Sequence, residues 1–152
     1  MPTPKLVDAI YAQAKFRLTP MPLKAGPQMV GTEYYRLHNS MVQRQIGSRA
    51  HGALVAGHKK DVVVTNRLCR MRRRVAIYGW HRGIGAPIQP LSLVHGDSYA
   101  DYSHGIRLIA ARMVVDGVEL PVASVMQNPR YAPLVSNEGV LRQTRAAPRG
   151  GC

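Results

Sequence analysis

Apolar residues recur at helical spacing near the start of the chain. Leu6, Val7, Ile10, Tyr11 and Ala14 follow a Thr3-Pro4 pair suited to an N-cap and first helical position, which predicts an amphipathic helix over residues 4–15. Pro20, Pro22, Gly26 and Pro27 make 18–28 an extended connector. Thr32 predicts the cap of a second helix, Glu33 to Ile46, with Tyr34, Leu37, Met41 and Val42 as its buried stripe and Gly47 as its stop. Beyond Gly52 the pattern shortens to β-type runs: Val62–Val64, Val75–Tyr78, Ile88–Val94 and Ile106–Ile109. Pro90 assigns the third run to an edge or a bulge. Asp116-Gly117 between Met113–Val115 and Val118–Leu120 is the strongest hairpin signal in the chain. Val122–Met126 reads as a short helix closed by Asn128-Pro129.

The sum is an α+β domain over residues 1–140: two N-terminal helices, then a small, mostly antiparallel sheet with a C-terminal hairpin and short helix. Residues 141–152 read as a disordered basic tail. A length of 152 residues allows one core without staples. No apolar run approaches the ~20 residues of a membrane span, and no signal-peptide order opens the chain. The expectation is a soluble protein, cytoplasmic or a domain of an exported one. Cys69 and Cys152 make no disulfide framework, and there is no CxxC and no Cys/His pattern with zinc-finger spacing.

Charge changes the picture. A net +13 at pH 7 implies attraction to polyanions: nucleic acid, anionic lipid or acidic wall polymers. Arg67 to Arg74 holds five arginines in eight residues, and Arg142, Arg145 and Arg149 follow near the end. No RNA-binding or helix-turn-helix motif accompanies them, so nucleic acid binding is expected to be non-specific at most.

Candidate chemistry concentrates in His95 to Leu108, which holds two His, two Asp, two Ser, two Tyr and an Arg. With His81, the spacing H-x13-H-x5-D-x2-H offers three imidazoles and a carboxylate. Three chemistries suit that set. His81, His95 and His104 could bind a divalent metal such as zinc, leaving a position for water. Ser103 or Ser98 could attack after activation by a His oriented by Asp101. Arg107, the imidazoles and the Gly96 and Gly105 amides could hold a phosphate or carboxylate. Catalysis is thus expected of His95, Asp101, Ser103 and His104, and substrate binding of Trp80, His81 and Arg107. Trp80, the only tryptophan, fits a ligand platform or a core anchor. Gly83-Ile-Gly85 lacks the rest of a dinucleotide fingerprint, and Pro87 breaks any helix there. Cys69 among arginines would favour a thiolate.

Val94-His95-Gly96 and Ser103-His104-Gly105-Ile106-Arg107-Leu108 resemble the fingerprint of the L,D-transpeptidases of bacterial cell walls. The resemblance implies acyl or glycan processing of a wall-derived ligand. The family's nucleophilic cysteine has no counterpart here, so its acyl-enzyme step does not carry over. Gly52–Asp61, Val75–His81, Pro87–Leu91 and Tyr99–Leu108 are similar to blocks of an uncharacterised bacterial family, a kinship that implies no activity. Three functional readings follow: a hydrolase or acyl/glycan-processing enzyme; a basic module that binds polyanions or wall polymers; and a non-catalytic phage or surface protein.

Overall fold

The computed structural model describes residues 1–49 and 52–144. It shows an α+β fold whose strands are divided among three small sheets. Helix α1 spans Pro4–Gln13; the Thr3 hydroxyl accepts a bond from Leu6 N, and Ala14 turns extended to stop it. Val7 and Tyr11 are its buried residues. Strand β1 (Phe16–Arg17) pairs in parallel with β2 (Val55–Ala56). Helix α2 spans Thr32–Ile46, one residue longer than expected. Its fully buried residues are His38 and Val42, while Leu37 is 45% exposed, so its inner face is rotated from the expected stripe.

The central sheet has the order β5-β4-β3-β6, from β3 (Lys60–Val62), β4 (Ile77–Gly83), β5 (Ala86–Ser92) and β6 (His104–Gly105). Pro90 lies on the edge strand β5, where a missing N–H is tolerated. Strand β6 is the opposite edge and runs parallel to β3, with Lys60 opposite His104 and Asp61 opposite Gly105. In β4 the register against β5 shifts between Ile77 and Gly79, where Gly79 (φ 113°) and Trp80 (φ 59°) leave the extended region. The expected strand over Ile106–Ile109 does not form. Ile106 and Leu108 are 73% and 80% exposed, because the chain leaves the sheet after Gly105.

Asp116-Gly117 turns β7 (Arg112–Val115) into β8 (Val118–Pro121), and α3 (Val122–Gln127) follows directly. Both turn residues have positive φ, 52° and 81°, as the tight hairpin requires. A short helix α4 (Ala132–Val135) was not expected.

One core cluster joins Val7, Val63, Leu68, Ala76 and Leu93. A second joins Val64, Val115, Val125, Val135 and Leu141 with their neighbours. Leu141 is fully buried, so the packed domain runs past residue 140; residues 145–152 of the expected tail lie outside the described residues. The first residues pack on later segments: Thr3 Oγ1 donates to Val135 O, and Val64 N donates to Pro2 O at 2.9 Å. Among the described residues no helix is long and apolar enough to cross a membrane.

Candidate functional site

Strand β6 sets the site. Lys60 N donates to Ser103 O at 2.8 Å, and His104 N donates to Asp101 O at 3.1 Å, so residues 101–104 enter the sheet through one tight turn. The Asp101 carboxylate organises that turn. One oxygen accepts from Ser103 N (2.8 Å) and Ser103 Oγ (2.6 Å); the other accepts from the Tyr99 hydroxyl (3.2 Å). Burial raises the Asp101 pKa, but the Ser103 bonds, the adjacent His104 imidazole and the nearby Lys60 charge together hold it below the ordinary carboxylate value. Asp101 is therefore an anion at neutral pH, and it is 1% exposed.

His104 Nε2 lies 3.8 Å from Asp101 Oδ2, too far for a hydrogen bond. It is buried and has no hydrogen-bond partner. Burial, opposed only in part by Asp101, keeps the His104 pKa below its usual value, so the imidazole is neutral at pH 7. His95 completes the group. Its ring stacks on Tyr99 with centroids 4.3 Å apart and lies 5.4 Å from the His104 ring. One ligand atom each from His95, Asp101 and His104 can be chosen so that all lie within 4.8 Å of one another. Ligand bonds of ~2.0–2.2 Å need donors roughly 3.0–3.6 Å apart, so a cation would draw the three side chains closer together. Two imidazoles and a carboxylate suit Zn²⁺ and its neighbours in the first transition row.

The neighbouring chain holds His95 from behind. Val75 N donates to His95 O (3.2 Å), Asp97 N donates to Arg73 O (3.0 Å), and Arg74 and Gly96 form a β-bridge. In front lies a pocket of about 320 Å³ lined by Tyr35, Val62, Val75, Asp97, Tyr99 and their neighbours Asp101, His104 and Ile106.

The other expected residues go elsewhere. His81 Nε2 meets Asp8 Oδ1 of α1 at 2.7 Å, and its ring stacks on Tyr11 at 4.7 Å. Asp8 also accepts from the Tyr78 hydroxyl at 2.9 Å. The imidazole is thus committed to α1, and the close trio of donors includes Asp101 in its place. Ser103 is completely buried and gives its hydroxyl hydrogen to Asp101 directly. No imidazole stands between them, so the arrangement lacks the base a serine nucleophile needs. Trp80 is buried, edge-on to His38 and Tyr102 at 6.4 Å each, with Lys60 Nζ 5.1 Å from its ring centroid. It is a core anchor and not a platform for ligands. Arg107 is neutralised: its Nε contacts Asp61 Oδ2 at 3.2 Å and its Nη2 donates to Val55 O at 3.2 Å. Burial raises the Asp61 pKa, and Arg107 opposes the rise. Cys69 is disulfide-bonded and offers no thiolate.

Four residues escaped the sequence reading. Tyr99 braces both His95 and Asp101, and its place two residues before Asp101 was the available signal. Lys59 and Lys60 lie close enough to Asp101 for its charge to act on theirs, although burial lowers the pKa of both. Asp8 carried no signal, because its partners are far along the chain. No protein-family model, no curated protein and no solved structure matches this chain.

Proposed function

We propose that the protein is a metal-dependent hydrolase centred on His95, Asp101 and His104. One observation carries the reading: a buried, neutral imidazole nitrogen without a hydrogen-bond partner lies beside a buried carboxylate and within reach of a second imidazole. A buried polar atom left unpaired costs free energy, and a cation shared with its neighbours would remove that cost. A divalent ion with three protein ligands keeps a position open for water, lowers its pKa toward ~7 and polarises a substrate oxygen. Asp101, fixed by Ser103 and Tyr99, would supply the negative ligand. Tyr99 would hold the His95 ring against rotation. The pocket beside the trio would receive the group next to the cleaved bond. Acyl transfer through Ser103 is disfavoured, since its oxygen is closed to solvent.

The test is elemental mass spectrometry of purified protein, untreated and after reconstitution with Zn²⁺, beside His95→Ala and His104→Ala. We expect stoichiometric metal in the wild type and a loss of at least tenfold in metal affinity in each variant. A wild type that stays metal-free after reconstitution would refute the reading.

A further inference from the structure

The arginine run and the candidate centre are one structure. Arg73 and Arg74 are the backbone neighbours of the loop that carries His95, through the Asp97 N–Arg73 O bond and the Arg74–Gly96 bridge. The Arg74 guanidinium also donates to Val94 O at 2.5 Å, while Arg67, Arg70, Arg72 and Arg73 are exposed. Arg67 and Arg70 line a separate cavity with Glu138 and Arg142, so Arg72 and Arg73 are the exposed arginines nearest in the chain to the pocket. Neither forms an ion pair among the described residues. Two arginines without a carboxylate partner therefore precede Arg74 and Val75 on the segment that holds the loop, and Val75 stands in the wall of the pocket. Arginine matches phosphate oxygens through its planar fork of donors.

The pocket supplies a second requirement. Its wall combines two tyrosines, Tyr35 and Tyr99, with Val62, Val75 and Ile106, in a space of about 320 Å³. A flat, uncharged ring fits such a lining, and every nucleobase presents one. A lipid headgroup or a polyol phosphate would satisfy the arginines and leave the aromatic wall without a planar occupant. Base pairing inside a duplex would keep the ring out of the pocket, so a single strand is the form that reaches both features.

We infer that the substrate is a single-stranded nucleic acid, with Arg72 and Arg73 on its phosphates and one unstacked base against Tyr35 and Tyr99. The inference rests on the metal-hydrolase reading above. In the reaction a water oxygen forms a bond to phosphorus and the bond from phosphorus to one sugar oxygen breaks. The departing electron pair stays on that sugar oxygen, which takes up a proton. The products are a phosphate monoester and a free hydroxyl, with no change of oxidation state.

The experiment has a metal-free and a metal-loaded arm, both on the full chain. In the first, fluorescein-labelled single-stranded DNA is titrated by anisotropy in EDTA across a salt series. Two phosphate contacts contribute about −1.4 to the slope of log affinity against log salt. Arg72→Ala/Arg73→Ala should remove that contribution and weaken binding about tenfold at low salt. Tyr35→Ala should weaken binding with the slope unchanged. In the second arm, protein reconstituted with Zn²⁺ should cut the strand, and the metal-free protein should leave it intact. Wild-type affinity retained by the double variant would overturn the arginine assignment. Competition by polyglycerol phosphate or by phosphatidylglycerol vesicles as strong as by unlabelled DNA would overturn the nucleic-acid assignment. Metal uptake with DNA binding but no cleavage would overturn the substrate. Failure of metal uptake, read separately by elemental analysis, would instead remove the hydrolase reading.

Discussion

Acid should weaken this fold through one histidine that the sequence gives no reason to notice. His38 of α2 is 0% exposed, and neither ring nitrogen has a hydrogen-bond partner. Its ring lies 5.1 Å from Tyr102 and 6.4 Å from Trp80, and Lys59 and His58 add positive charge nearby. Burial first, then those two charges, pushes its pKa down to about 4. The unfolded chain keeps the ordinary value of about 6.5. Above that pH both states are neutral at this residue and its contribution to stability is intact. As pH falls from about 6.5 to about 4, the unfolded chain takes a proton that the folded chain refuses, and stability drops. Each pH unit costs about 1.4 kcal/mol, so the window as a whole costs about 3 kcal/mol. His38→Leu removes the titration while keeping an apolar group of similar size. Urea unfolding of both proteins, followed by the fluorescence of the single tryptophan Trp80, measures the effect. Between about pH 7.5 and about pH 4.5 the stability difference should move by about 2–3 kcal/mol toward the variant. His58, also pushed down to about 4 by burial, titrates in both proteins and cancels. Parallel acid losses in the two proteins would show that His38 is not the neutral buried group described.

Two substitutions test the frame around the site. A Cβ at Gly57 would stand 2.5 Å from Leu18 O and 2.9 Å from the Tyr11 ring, at φ 100°, so Gly57→Ala should cost on the order of 3 kcal/mol; an unchanged Tm in a calorimetric scan would contradict the backbone there. Asp8→Ala leaves the Tyr78 hydroxyl and His81 unpaired and should cost about 2–3 kcal/mol by chemical denaturation. Metal content of that variant should equal the wild type, and its loss would return His81 to the centre.

How far the sequence carried can be argued element by element. Helix α1 and the Asp116-Gly117 hairpin were legible because capping and turn chemistry are local. The α2 face was misjudged because hydrophobic periodicity counts a histidine as polar, whereas His38 is buried as a neutral ring. The run Ile106–Ile109 has strand composition, yet a strand needs a partner edge, and pairing beyond β3 ends at Gly105. Strands β1 and β2, two residues each, are too short for any period to register. Within the site, His95, Asp101 and His104 were visible because one short loop carries all three. His81 was assigned to them by proximity in sequence, while the carboxylate that claims it lies 73 residues earlier. The expected roles of Trp80, Ser103 and Arg107 failed for a related reason: burial and ion pairing are settled by tertiary neighbours.

The meeting of Thr3 with Val135 and of Pro2 with Val64 has a consequence for how the molecule is made. During synthesis α1 precedes every group it packs on. Asp8 and Tyr11 wait for His81, and Val7 waits for Val63 and Ala76, so the emergence of β4 anchors the helix on the central sheet. Thr3 gains its partner only when α4 follows, so losing α4 would loosen the start of the described fold as well as the segment removed.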